Sequence, residues 1–283
     1  MKPVKWGILG AANFAVNHMG PAIHAAKGAE LVAVASSSAE KVKPFQAFAP
    51  SARFVPSYDA LLADPEIEAV YIPLPNHLHV DWTLKAIAAG KHVLTEKPIA
   101  LQADEIDALI AARDASGLQV AEAYMIVHHP QWQRAQQWVQ SGEIGTLRHV
   151  DAQFSFCLTD MGNIRNKPDT GGGSLRDIGV YTFGSARFAT GAEPVELSSR
   201  VIREKGVEIW AQVAAELSRA KRGCLRSCAE GGSRSKKDRG SVEGGKRLGR
   251  GQEEEVATTE AKAAATTTAA TAKETAASSR PSP

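Results

Sequence analysis

Three side chains carry the first chemical signal in this sequence. Asp177 and Tyr181 stand four residues apart, shortly after Gly171-Gly172-Gly173, and Lys97 sits in Thr95-Glu96-Lys97-Pro98. A spacing of four places both side chains on one face of a helix, which the apolar pattern predicts over 174–188. Gly179, between them, permits close backbone approach to a ligand or a neighbouring sheet. A nearby ammonium lowers the pKa of a tyrosine and favours its proton-accepting form. Hydride removal from an alcohol needs such a base, together with a group that holds the developing oxyanion. Tyr181, Asp177 and Lys97 are of the right types for that work. Spacing by itself fits a cap-region acid, a packed aromatic and a surface lysine equally well.

These side chains need a scaffold, and the chain alternates strand and helix ahead of them. The apolar runs predict strands at 4–9, 31–35, 53–55, 69–72, 92–96 and 119–122. Helical stretches are expected between them, at 13–27, 39–48, 58–63, 79–89 and 103–115. Short apolar strands with intervening helices mean parallel βαβ units, and hence a doubly wound α/β sheet of Rossmann type. Such sheets bind ligands beyond the C-terminal ends of their strands, which is where Lys97 falls. Pro98 favours an extended backbone at Lys97. A further helix at 131–141 and a strand at 145–156 begin a second, α+β domain near residue 123.

The first strand runs into Gly10-Ala11-Ala12-Asn13-Phe14-Ala15. This is the position of a dinucleotide turn of the form GxGxxG, with Ala12 and Ala15 in the second and third glycine places. Small residues there let backbone N–H groups approach a pyrophosphate at the helix N-terminus. Simple close packing of strand on helix explains the same residues. The second strand ends in Ala35-Ser36-Ser37-Ser38-Ala39-Glu40-Lys41. An NAD site usually carries Asp or Glu at this strand end for the ribose 2′-hydroxyl. Here two hydroxyls and a lysine suit a 2′-phosphate, so NADP is expected ahead of NAD. A serine cap with a solvated lysine is the plainer explanation.

Composition narrows the class. The chain has 283 residues, 43% hydrophobic and 23% charged, as in ordinary globular proteins. A net charge of +2 is too balanced to argue for nucleic acid or a membrane surface as partner, and neither is expected. No apolar run approaches the ~20 residues that span a bilayer. Three cysteines, none in a CxxC, point to a reducing compartment, the cytoplasm. His128 and His129, with His77 and His79, raise the idea of zinc, but closed zinc sites want four convergent ligands, often with cysteine, and no metal is expected.

Gly90-Lys91-His92-Val93-Leu94-Thr95-Glu96-Lys97-Pro98 resembles the signature of the Gfo/Idh/MocA oxidoreductases. Ile72-Pro73-Leu74-Pro75-Asn76-His77-Leu78-His79 is similar to that family's Thr-Pro-Asn-x-x-His loop, with Leu74 in the threonine place. Residues 171–181 resemble its catalytic helix. Three motifs in register, spanning roughly residues 4–216, carry the resemblance. It implies catalytic roles for Lys97, Asp177 and Tyr181. It implies cofactor contacts at Gly10, Ala11, Ala12, Asn13, Phe14, Ser36, Ser37, Lys41, Pro75, Asn76, His79, Glu96 and Lys97. Substrate contacts are expected at His128, Asn163 and Arg165, although a surface loop also accounts for the last two. Tyr181 in place of the family's frequent histidine resembles the dihydrodiol dehydrogenase, D-xylose dehydrogenase and glucose–fructose oxidoreductase branch. Val127 stands where the family commonly has arginine.

The function expected is hydride transfer between NADP and a cyclic sugar, polyol or dihydrodiol, with D-xylose the first candidate. A non-catalytic nucleotide sensor or an inactive truncated family member is the alternative. Domains are expected at 1–122 and 123–216. Residues 217–283 are rich in Arg, Lys, Gly and Ser, then in Ala and Thr, and read as a low-complexity, disordered tail. The abrupt change after Glu216 resembles a shifted reading frame or a misjoined gene model, and the second domain is expected to lack strands that the family has. Homo-oligomerisation, common in the family, is doubtful on that basis.

Overall fold

The computed structural model describes residues 2–217, 224–231 and 253–256, the last two segments as backbone strands. The chain divides into two compact units, Met1–Tyr124 and Met125–Pro283. The division falls two residues beyond the boundary expected at 122.

In the first unit, strands β1 (Val4–Leu9), β2 (Ala29–Ala35), β3 (Arg53–Val55), β4 (Ala69–Ile72), β5 (His92–Thr95) and β6 (Val120–Glu122) form one sheet in the order β3-β2-β1-β4-β5-β6. Every pairing in it is parallel. The order reverses between β1 and β4, and this switch point opens the crevice where such sheets hold ligands. The strands are near-continuous apolar runs because both faces are covered. Successive residues of β1 face opposite ways. Ile8 packs with Ala15, Ile23 and Phe45, while Leu9 packs with Leu61, Ala86 and Ile87. Ile8, Leu9, Leu31, Phe45, Leu61 and Tyr71 are fully buried. Each such side chain contributes roughly 1.5–3 kcal/mol.

The helices of this unit include α1 (Gly20–Ala25), α2 (Lys43–Gln46), α3 (Tyr58–Leu62), α4 (His79–Ala88) and α5 (Ala103–Ser116). A π-turn, Ala15–Met19, precedes α1 within the stretch expected as plain helix. The helix expected over 39–48 is broken into a 3-10 turn, Ala39–Lys41, and the short α2, with Pro44 at its start. A capping box of Gln102 and Glu105 starts α5.

In the second unit, α6 (Pro130–Ser141) and α7 (Val180–Thr190) accompany a five-stranded sheet. Its strands are β7 (His149–Phe156), β8 (Pro194–Glu204), β9 (Val207–Leu217), β10 (Cys224–Gly231) and β11 (Glu253–Val256), in the order β11-β8-β9-β10-β7. All neighbours are antiparallel except β10 and β7. Along β9, residues 207, 209, 211, 213, 215 and 217 are buried, the period-two pattern of a strand with one covered face. Phe183 and Ala186 of α7 pack against Val150, Leu197 and Ala215 of the sheet.

The described strands extend past the domain boundary expected at 216. Strand structure does not end at Glu216, because β9 includes a buried Leu217. The segment expected as a tail also supplies β10, between β9 and β7, and β11, on the outer side of β8. Apolar content was too low there to signal strands, and the backbone ladder does not depend on it. The remainder of 217–283, on which the expectation of disorder rested, lies outside the described residues. Among the described residues no helix is long and apolar enough to cross a membrane.

Candidate functional site

The C-terminal ends of β1 and β2 form the first part of the site. Gly10 leaves β1 with φ +105°, a conformation that a side chain strains, and its N–H donates to the carbonyl of Ala35 at 2.9 Å. A Cβ added there would stand 3.0 Å from Leu74. Ala11 and Ala12 are half-buried and Asn13 opens the helix. Phe14 is exposed, its ring 5.0 Å from that of His18. At the end of β2 the two serines separate. Ser36 is buried and its N–H donates to Val55. Ser37 is exposed, and its Oγ accepts from Lys41 Nζ at 3.2 Å. The structure therefore joins Ser37 and Lys41 in one exposed hydroxyl–ammonium pair and buries Ser36.

The ends of β4 and β5 form the second part. Glu96 follows β5 directly, and its N–H donates to Ile72 at 3.1 Å. Tyr71 is fully buried in β4, and its hydroxyl donates to Glu96 Oε1 at 2.6 Å. The other carboxylate oxygen of Glu96 accepts from the backbone N–H of Lys97 at 3.2 Å. The Lys97–Pro98 peptide is cis. Past it, the N–H of Ile99 donates to Glu122 Oε1 at 2.8 Å. Burial pushes the Glu122 carboxyl above the usual carboxylate range, and neighbouring Glu96 pushes it the same way; the bond from Ile99 and the charge of Lys97 act against them. Pro75 and Asn76 are half-buried at the head of the loop after β4. His79, expected as a cofactor contact, is fully buried, with its ring nitrogens 2.7 Å from the carbonyl oxygens of Leu74 and Pro98. Its side chain faces the protein interior, so whatever it does for a ligand is done through those two loops.

The second unit supplies the remaining candidates. Asp177 lies in a π-turn, Leu175–Gly179, that leads into α7, and Tyr181 stands in the first turn of α7. Asp177 Oδ2 accepts from Arg165 Nε at 2.7 Å, and Asn163 Oδ1 accepts from the backbone N–H of Arg165 at 3.1 Å. Asn163, Arg165 and Asp177 are thus one connected group rather than a loose surface loop. The Tyr181 ring lies 5.6 Å from that of Phe154 on β7. The glycines ahead of the turn are required by space. A Cβ on Gly172 would stand 2.5 Å from the carbonyl of Arg165, and one on Gly173 would collide with the carboxylate of Glu208. A small cleft beside them is lined by Phe156, Arg165, Gly173, Ser174 and Asp177. Among the described residues the buried Ser174 Oγ has no hydrogen-bond partner, the situation in which a ligand atom or a water completes the set. His128 stands exposed at the end of a 3-10 turn, Met125–His128, where the chain enters α6.

Residues 4–124 match the profile of the GFO_IDH_MocA oxidoreductase family with its NAD-binding Rossmann fold, and residues 132–244 match that of the family's C-terminal domain. The chain belongs to the Gfo/Idh/MocA family. An uncharacterized oxidoreductase of Rhizobium meliloti is 46% identical over 69% of this chain and 58% of that protein. The dTDP-3,4-didehydro-2,6-dideoxy-α-D-glucose 3-reductase of Saccharopolyspora spinosa is 39% identical over 75% of this chain and 64% of its own length. D-xylose 1-dehydrogenase (NADP+) 2 of Haloferax volcanii is 38% identical over 72% of this chain and 62% of its own. Among solved structures, a 3-ketoreductase of Actinomadura kijaniata in complex with NADP and TDP-benzene superposes with a TM-score of 0.73 and 32% identity, covering 81% of this chain and 71% of that one. The chain spans about three fifths of the length of the curated relatives it matches.

Within this Gfo/Idh/MocA chain, sequence reasoning missed Tyr71, Glu122 and Ser174. Tyr71 had a signal, since a tyrosine in a buried strand needs a partner for its hydroxyl. Glu122 closes the last predicted strand, at the sheet end where ligands bind. Ser174 had none, because a missing hydrogen-bond partner is visible only in three dimensions.

Proposed function

We propose that this chain carries the working parts of an NADP-dependent oxidoreductase that moves a hydride between NADP and a cyclic sugar, polyol or dihydrodiol. The observation that carries this is the acid-free end of β2, where Lys41 and Ser37 offer an ammonium and a hydroxyl. In an NAD site that strand end usually holds a carboxylate for the ribose 2′-hydroxyl; a phosphate there is served by a cation and hydroxyl donors. The residues around Gly10 fit the same cofactor, because Gly10, Ala11 and Ala12 keep bulk away from the turn where a pyrophosphate would meet backbone N–H groups. Gly10, Ala11, Ala12, Asn13 and Phe14 would hold the pyrophosphate side, Ser36, Ser37 and Lys41 the 2′-phosphate, and Pro75, Asn76, Glu96 and Lys97 the nicotinamide side. The bound nicotinamide supplies or accepts the hydride.

The chain's own residues handle the proton and the charge. The ammonium of Lys97 stabilises negative charge on the reacting oxygen. Tyr181 Oη takes the hydroxyl proton in oxidation and returns it in reduction. Asp177, held by Arg165, orients a substrate hydroxyl, and the Ser174 hydroxyl offers another partner within the same cleft. Asn163 acts by fixing the Arg165 backbone, and His128 is assigned to the substrate side. The Actinomadura ketoreductase has also been solved, in separate structures, with a tyrosine changed to phenylalanine and with a lysine changed to alanine, the residue types assigned here. Three cysteines without a CxxC support a cytoplasmic place of action.

A second reading, reduction of a nucleotide-linked keto-sugar by NADPH, is favoured by the ketosugar reductase relatives in Saccharopolyspora and Actinomadura. It uses the same residues in the opposite direction. The test is a turnover assay that follows the nicotinamide, with NADP+ against aldoses, polyols and dihydrodiols, and with NADPH against dTDP-linked keto-sugars. Turnover in the oxidative panel is expected. Turnover confined to the keto-sugars would select the second reading. Cofactor binding without turnover on any substrate would overturn both in favour of a nucleotide sensor.

A further inference from the structure

His79 is the one fully buried histidine among the described residues. It opens α4, and its two ring nitrogens lie 2.7 Å from the carbonyl oxygens of Leu74 and Pro98. Leu74 immediately precedes Pro75 and Asn76, and Pro98 immediately follows Lys97. A single side chain thus contacts the backbone of both loops that the proposed function assigns to the nicotinamide side. The far ends of the loops have their own anchors. The N–H of Leu78 donates to Pro75 at 2.9 Å, and that of Ile99 donates to Glu122 at 2.8 Å. The ring hydrogen-bonds both carbonyls at once as an imidazolium, the form that the two carbonyls favour; a neutral ring donates to one of them and only touches the other. Burial holds the ring's pKa below the usual histidine value, against the two carbonyls, and the charges of Lys97 and His77 act in the same direction as burial.

We propose that His79 is a positioning residue that yokes the Pro75–Asn76 loop to the Lys97 turn, so that the cofactor seat and the reacting ammonium keep one fixed spacing. The meaning given to the two loops rests on the proposed function, but the yoke itself does not. It can be tested on the full chain without cofactor or sugar.

Amide hydrogen exchange reads it directly, at Leu78 for one loop and at Ile99 for the other. His79→Leu removes both ring nitrogens and should speed exchange at both amides by about tenfold or more, with the amides of β1 and β2 left slow. His79→Asn places an amide nitrogen near the Nδ1 position and should loosen only the Leu78 side. His79→Gln places one near the Nε2 position and should loosen only the Ile99 side. That division is one a general loss of stability would not produce. Unchanged exchange at either amide in the leucine variant, or equal acceleration across β1 and β2, would overturn the proposal. If the leucine variant does not fold, the other two decide, and identical behaviour of the asparagine and glutamine variants overturns it. Should the chain fail to turn over any sugar while the exchange pattern holds, the function is wrong and the yoke stands.

Discussion

The candidate residues of the two units are held by different means. In the first unit, the Lys97 turn is fixed by buried or half-buried polar side chains, Tyr71, His79, Glu96 and Glu122, each bonded to backbone or to a neighbour. In the second, Asp177 is held by Arg165, whose side chain is 43% exposed, and the buried Ser174 hydroxyl has no partner among the described residues. Buried hydrogen bonds cost much to break, whereas solvent-screened ion pairs contribute little to stability. The Lys97 turn is therefore bonded in place without any ligand. The second unit leaves bonding capacity at Ser174 for a ligand to complete. A seat for an invariant cofactor can be preformed, while a substrate site gains selectivity from groups that only the right ligand satisfies.

The largest expected effect separates chemistry from binding. Lys97→Met and Tyr181→Phe should each lower kcat by roughly 10²–10⁴-fold, with NADP affinity near that of the unaltered chain, as steady-state kinetics and cofactor titration will show. Near-normal turnover in both would remove the catalytic assignment. Lys41→Ala should weaken NADP by about tenfold to hundredfold and NAD hardly at all. Equal losses for the two cofactors would show that the Lys41–Ser37 pair is merely a solvated cap.

The next test strikes the preformed half. Gly10→Ala forces a side chain onto a φ of +105° and against Leu74, and should cost about 1–3 kcal/mol in denaturant unfolding. NADP binding should weaken with it. The smallest effect concerns Glu122. A carboxyl raised above its ordinary range binds its proton more tightly in the folded state than in the unfolded one. Its contribution is therefore favourable in acid and lost as pH rises through the raised value. Glu122→Gln should melt at a higher temperature than the unaltered chain near neutral pH, with the gap closing on acidification. A gap that stays constant with pH would mean that Glu122 is not desolvated.

The first unit was largely legible from sequence because its signals are local. Strands at 4–9, 53–55 and 69–72 are found where the apolar runs put them, and Gly10 turns where a strand meets a helix. What escaped depended on contacts between distant residues. The position of His79 in the loop motif did not reveal that its ring points inward to Pro98, 19 residues away. Ser36 and Ser37 look alike in sequence, yet one is buried and the other pairs with Lys41. In the second unit β8 was missed because its polar residues do not alternate cleanly, and β10 because its partners, β9 and β7, are set by the sheet rather than by its own composition. Asn163 and Arg165 are expected from sequence as substrate contacts or as plain loop surface, and the bond from Arg165 to Asp177, 12 residues away, has no signal in either reading.

The central claim is a first unit shaped in advance for a phosphorylated dinucleotide. Calorimetric titration of the full chain with NADP+ and NAD+, without any sugar, tests it most directly. The account predicts saturable binding of both, with NADP+ tighter by at least about tenfold. Equal affinities, or tighter binding of NAD+, would contradict it.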